Sequence, residues 1–299
     1  MSEIKSNASG IIQPFIFDNM PVRGMVLRIN NLSEHVPCLS AETNFINKAL
    51  AEMLAASAVL THDLKNKANV TLQIQSQGPV PLLVSQCDKN GSLRAYAKIN
   101  DDADTQKLNY KNLIEENAIF AVSVEQGEGK TKNIYQSLVG LNKTSVSSSV
   151  EQYFNDSVQL NTYFKVTIGE QDGKLSCGCI FLQALPEKEP NLDDWRRIAI
   201  ILTTMKEEEI LPGSISEQEL LGRLFAEDKV RVYAPHDLHF ASAQTRERMV
   251  KALLSLGEDQ CKDLLKEGPI VMMCEFSGTE ESFTHEDIRN IFDTDQDDE

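Results

Sequence analysis

Cationic side chains are scarce: Lys and Arg number 29 against 45 Asp and Glu, a formal net charge of −16 over 299 residues. A field of that sign repels phosphate backbones and anionic lipids, so the composition argues against a nucleic-acid or membrane-surface role. Long apolar runs are missing too. No stretch approaches the ~20 residues that a bilayer span needs. Residues 1–10 are polar and lack the apolar centre of a signal peptide. Six cysteines scattered over this length make no disulfide scaffold, and the expected setting is a reducing cytoplasm. What is present is core-forming: 41% hydrophobic and 25% charged residues fit one large folded domain or two smaller ones.

Along the chain, residues 1–14 read as a flexible leader and 15–29 as a strand pair or one long bent strand. Residues 43–64 combine Phe45, Leu50, Met53, Leu54 and Leu60 with several alanines, the composition of a buried helix. Residues 70–75 alternate apolar and polar as a half-buried strand does. Residues 81–87 and 92–99 flank a hairpin turn at Asn90-Gly91, and 118–124 pairs with 133–141. A helix over 148–160 and two strands joined at Asp172-Gly173 complete an α+β domain over 15–186. The texture then changes. Residues 187–229 read as a helical linker, with a helix over 193–210 carrying Trp195, Ile198, Leu202 and Met205 on one face. Ser216 and Glu219 form a capping box for a short helix with Leu220, Leu224 and Phe225. Residues 230–292 form a small C-terminal α+β domain. Its helices are capped at Thr245 and Thr284, its strand spans 270–276, and Leu253, Leu256, Leu264, Phe283 and Ile288 are among its core candidates. Residues 293–299 are an acidic tail.

The motifs that suggest chemistry fail on inspection. The segment from Gly127 to Thr131 imitates a phosphate loop, but Val124 stands where a P-loop needs glycine. Cys177 and Cys179 share one strand face inside an apolar run and read as small buried hydrophobes. His236, His239, Cys274 and His285 imitate a zinc set without its spacing. No Gly-x-Ser-x-Gly elbow and no cysteine in a basic context supplies a nucleophile, so no catalytic residue and no cofactor are expected.

Several ordered segments together resemble one family, the 33-kilodalton redox-regulated heat-shock chaperones, which are bacterial ATP-independent holdases. The carrying stretches are Val22-Arg23-Gly24, 71–75 with Gly78-Pro79, 93–97, Tyr135-Gln136, 151–154, 157–160, 220–225, 230–233, 246–248 and 274–276. The resemblance implies an α+β N-terminal domain, a helical linker and a small C-terminal domain. It implies that unfolding client proteins bind apolar surface released when the last two loosen. Trp195, Ile198, Leu202, Met205, Leu220, Leu224 and Phe225 are then the linker and client-binding candidates, with a homodimer left open.

One departure qualifies the resemblance. Such proteins hold zinc with a Cys-x-Cys and a later Cys-x-x-Cys, and those positions here are Ser242, Gln244, Cys274 and Ser277. Neutral serine and glutamine do not replace thiolates on zinc. The metal site and its regulatory disulfides are therefore not carried over. A rival reading is a redox sensor or adaptor acting through Cys261 and Cys274, if their Cα atoms lie within the ~7 Å that a bridge requires.

Overall fold

The computed structural model describes residues 8–39, 44–64, 68–104, 107–113, 118–127, 132–141, 144–171, 173–185, 191–240, 245–274, 276 and 278–295. The chain divides into two compact units, Met1–Phe240 and Ala241–Glu299.

The first unit opens with β1 (Gly10–Phe17), β2 (Val22–Ile29), α1 (Leu32–His35) and α2 (Phe45–Asp63). Next come β3 (Asn69–Gln75), β4 (Leu82–Cys87), β5 (Ser92–Lys98), α3 (Tyr110–Leu113), β6 (Ile119–Gln126) and β7 (Asn133–Val139). Helix α4 (Val146–Tyr153) runs into a π-helical turn, Phe154–Val158, and is followed by β8 (Thr162–Gln171) and β9 (Lys174–Ala184). Then come α5 (Leu192–Thr203), α6 (Glu207–Ile210), α7 (Glu217–Leu224), β10 (Val230–Val232) and β11 (His236–Phe240). The strands join one sheet in the order β7-β6-β3-β4-β5-β11-β1-β2-β9-β8, with β10 also paired to β1. Neighbours are antiparallel except β11 with β5.

Helix α2 lies at the centre. Asn44 caps it by accepting from the Asn47 N–H, and its alanines let strands and α4 approach closely enough to bury it almost all round. Strands β3, β4 and β5 alternate buried and half-exposed residues, as one-sided sheet packing dictates. Strand β9 is buried along almost its whole length because it is covered on both faces. Cys177 and Cys179 sit there with no exposure, on the α2 side.

Four readings of the sequence are corrected in this unit. The 1–14 leader is too long: β1 begins at Gly10, which pairs with Ile29 and Leu238, and Ile12 is buried. The 193–210 helix is broken, because the Thr203 and Thr204 hydroxyls bond back to Ile200 and Ile201 carbonyls at 2.6 and 2.7 Å. A new start then follows, where Glu209 accepts from the Lys206 N–H at 2.8 Å. The 148–160 helix starts earlier, capped by Ser145, and loosens into the π turn. Finally, 230–240 does not open the C-terminal unit; β10 and β11 pair with β1 and β5.

The second unit comprises α8 (Thr245–Leu256), α9 (Glu258–Leu264), the hairpin β12 (Ile270–Cys274) and β13 (Thr279–Phe283), and α10 (His285–Asp295). Met249, Leu253, Cys261, Leu265, Phe283 and Ile288 are its buried core. Leu256 and Leu264, expected in that core, are 38% and 48% exposed. The strand expected over 270–276 ends at Cys274, and β13 was not legible because Phe283 is its lone large apolar residue. Arg246 binds Glu281 and Asp287 at 2.8 and 2.9 Å and lies over the Phe283 ring. Thr284 and Asp287 cap α10 reciprocally. The helix takes in the first residues of the expected 293–299 tail, and the rest of the tail lies outside the described residues. Among the described residues, no helix is long and apolar enough to cross a membrane.

Candidate functional site

The chain from 191 to 225 lies on the face of β1, β2 and β9 that turns away from α2. Strand alternation sends Phe15 and Phe17, Val22 and Val26, and Ile180 and Leu182 to this face, while Ile12, Leu27 and Phe181 go to the α2 side. Ile198, Leu202, Met205, Leu220, Leu224 and Phe225 are buried against it, and Trp195 packs half-buried at its margin. All seven linker residues singled out from the sequence thus meet in one cluster. Ile210 and Leu221 join them, and the Phe225 ring stands edge-on to Phe17 at 4.9 Å between centroids.

The helices forming this cover are short. A helix of 12, 4 or 8 residues does not persist alone in water, so α5, α6 and α7 keep their form through docking. Two polar ties reinforce the apolar contact. Asp228, gripped by Arg197 of α5 at 2.6 and 3.0 Å, also accepts from the Asn19 amide in the turn between β1 and β2 at 3.1 Å. Those hydrogen bonds hold the Asp228 carboxyl below its ordinary range, against the opposing effect of burial.

The second tie was not anticipated. Arg28 of β2, only 6% exposed, points into the cover. Its Nε donates to the Ile210 carbonyl at 3.0 Å and its Nη2 to that of Glu209 at 2.9 Å. Its Nη1 donates to the Ile215 carbonyl at 2.5 Å and to Glu217 Oε1 at 2.8 Å. Burial pulls the guanidinium below its usual value, and Glu217 counters this. Glu209 is in turn ion-paired with Arg223 of α7. The available signal was an arginine inside the otherwise apolar run 24–29, where a charge persists only with partners.

Burial keeps the thiols of Cys87, Cys177, Cys179 and Cys261 protonated. Burial pushes Cys87 and Cys177 up to about 12 and Cys179 well above its ordinary value. Cys261 is fully buried, with its thiol directed at the Leu253 carbonyl, and burial raises it too. Cys274 ends β12 in the same unit. All six cysteines lie among the described residues and none is in a disulfide. Of the zinc-like histidines, His236 stands against His62 in the first unit, while His285 begins α10 in the second. Among the described residues, no three His, Cys, Asp or Glu side chains converge as metal ligands. Ser242, Gln244 and Ser277 lie outside the described residues, as does most of the Gly127 loop.

The whole sequence from residue 11 to 284 matches the family described as Hsp33 protein. The chain belongs to the Hsp33 family. Among curated relatives, it is 30% identical over 278 residues to the 33 kDa chaperonin of Pectobacterium carotovorum, covering 93% of this chain and 94% of that one. It is 31% identical to the 33 kDa chaperonin of Escherichia coli O7:K1, covering 93% of each. The crystal structure of the Thermotoga maritima Hsp33 homolog superposes with a TM-score of 0.74 at 19% identity, over 97% of this chain and all of that one. The α+β fold is therefore that of Hsp33, and the relatives' names place the chain among heat-shock chaperones.

Proposed function

We propose that this Hsp33-family chain is an ATP-independent holdase, a cytoplasmic protein that binds unfolding clients and performs no catalysis. Residues 10–185 together with β10 and β11 serve as its core, 191–229 as a releasable linker and the C-terminal unit as the element coupled to release. The observation that carries the reading is the apolar face of β1, β2 and β9, closed only by short helices that cannot hold their shape undocked. Trp195, Ile198, Leu202, Met205, Leu220, Leu224 and Phe225 do double duty. Docked, they are core; released, they and the strand face offer apolar surface to a client.

The family's zinc does not fit the residues present. Of the donor set Ser242, Gln244, Cys274 and Ser277, one is a thiol. A soft thiolate cage is thereby lost, together with the cysteine pairs that would form regulatory disulfides. We read this chain as lacking the zinc and disulfide switch. The sensor reading through Cys261 and Cys274 is disfavoured by burial of the Cys261 thiol.

Photo-crosslinking tests the site. A benzophenone residue at Leu224 should capture a heat-unfolding client, while one at Lys98 on β5 should not. Equal capture at both positions would refute the assignment.

A further inference from the structure

We infer that Arg28 is a polar latch that keeps the client surface covered. The inference rests on the holdase reading and names how that site is regulated. The latch has three parts, all within the first unit.

The first is the guanidinium itself. Its four hydrogen bonds all fall on Glu209, Ile210, Ile215 and Glu217, so it spends its donors on the α6–α7 segment. The second is what those contacts do for the segment. Helix α6 is four residues long and ends at Ile210, so no further turn supplies N–H donors to its terminal carbonyls. Arg28 satisfies the Glu209 and Ile210 carbonyls, and Ser214 adds a 2.9 Å hydroxyl to that of Glu209. The third is a notch on the neighbouring strand. Gly178 of β9 is paired directly with Arg28, and a Cβ there would collide with the Ile210 carbonyl. The segment therefore seats against bare backbone on one strand while the arginine beside it grips the same carbonyl. Gly169 of β8 receives the Leu211 side chain in a second close approach.

The arrangement is a switch because its two states differ in solvation. Closed, the arginine is desolvated but engaged through four hydrogen bonds, and the apolar cover is seated. Open, both the guanidinium and the freed carbonyls return to water, which compensates for the broken bonds. An apolar side chain at position 28 would instead leave the Glu209 and Ile210 carbonyls without these donors in the closed state. The latch thus adds a directional, all-or-none element to contacts that are otherwise greasy and adaptable. The cover at rest is set by an ionic and geometric fit, with no thiol in it.

Hydrogen exchange by mass spectrometry on the full chain tests this, with Arg28→Met, Glu217→Gln and Gly178→Ala compared to wild type at moderate temperature. The latch predicts exchange faster by about tenfold or more across 205–225 in R28M and G178A, and a smaller rise in E217Q. Exchange in α2, β3 and β4 stays unchanged. E217Q guards against an R28M that does not fold, since Glu217 is a peripheral partner. Unchanged exchange at 205–225 in the variants that fold would overturn the latch. So would acceleration spread equally over α2 and β3, which is general destabilisation. Aggregation of a heat-denatured client is measured in parallel. Selective opening with suppression at lower chaperone ratios supports latch and holdase together. Selective opening in a protein that never suppresses aggregation keeps the contact but removes the holdase reading and the regulatory role built on it.

Discussion

The imidazole of His62, in the last turn of α2, lies against that of His236 at the start of β11, with ring centroids 4.4 Å apart. Burial depresses the His62 pKa, and the nearby His236 and Arg23 charges add to this. Arg23 faces it from β2, ion-paired to Asp63 at 2.6 Å, and Lys89 and Asp237 line the same cavity of about 510 Å³. The unfolded chain takes up a proton near the ordinary value of ~6.5, whereas the folded chain resists until lower pH. The stability contributed by neutral His62 is therefore full above that value and is lost as pH falls through its folded pKa. The melting temperature should fall between about pH 7.5 and about pH 5.5, and less so in His62→Gln. An identical fall in the variant would assign the effect elsewhere.

Glu52, 3% exposed on α2, accepts the Ser147 N–H at 3.0 Å and so caps the start of α4 from another helix. Burial pushes its carboxyl up, with the Ser147 N–H pulling the other way. Glu52→Ala leaves that half-buried N–H without its acceptor and should cost about 1–3 kcal/mol in urea unfolding. Glu52→Gln keeps an acceptor and should cost less. A loss in Gln as large as that in Ala would show that the charge, not the acceptor, matters.

Where burial follows a simple period, the sequence was legible. Residues 43–64, 70–75 and the Asn90-Gly91 hairpin lie close to their expected positions because propensity, alternation and turn chemistry agree there. The seven linker residues were legible as an apolar face for the same reason. Tertiary effects were not. Nothing local reveals that Val230–Val232 and His236–Phe240 complete a sheet begun at Gly10, more than two hundred residues earlier. Arg28 was passed over because strand propensity weighs a single arginine as noise. Its meaning comes from carbonyls some 180 residues away.

Leu202 is fully buried under the cover. Leu202→Ala in a rigid core costs about 2–5 kcal/mol. Here the loss is capped by the free energy of undocking 191–229, because beyond that point the linker simply releases. The account expects a small change in global unfolding with a clear rise in binding of an apolar dye at moderate temperature. A full core-sized loss without extra dye binding would mean that the linker is inseparable from the core.

Metal and oxidant offer a separate check. Elemental analysis of protein purified without chelator should find well under one zinc per chain, since three of the four donor positions are Ser or Gln. Peroxide treatment should leave chaperone activity within about twofold. Near-stoichiometric zinc that Cys274→Ser abolishes would contradict the donor argument. A rise of about tenfold that dithiothreitol reverses would promote Cys261 and Cys274 to a working switch.

The covered apolar face is tested most directly by light scattering from a heat-denatured client, with no nucleotide present and the temperature raised in steps. The account predicts little effect while the cover is docked. Aggregation should then be suppressed at near-equal molar ratio over the same range in which 205–225 lose exchange protection, and before α2 does. Protein in excess that leaves aggregation unchanged after 205–225 have opened would contradict it.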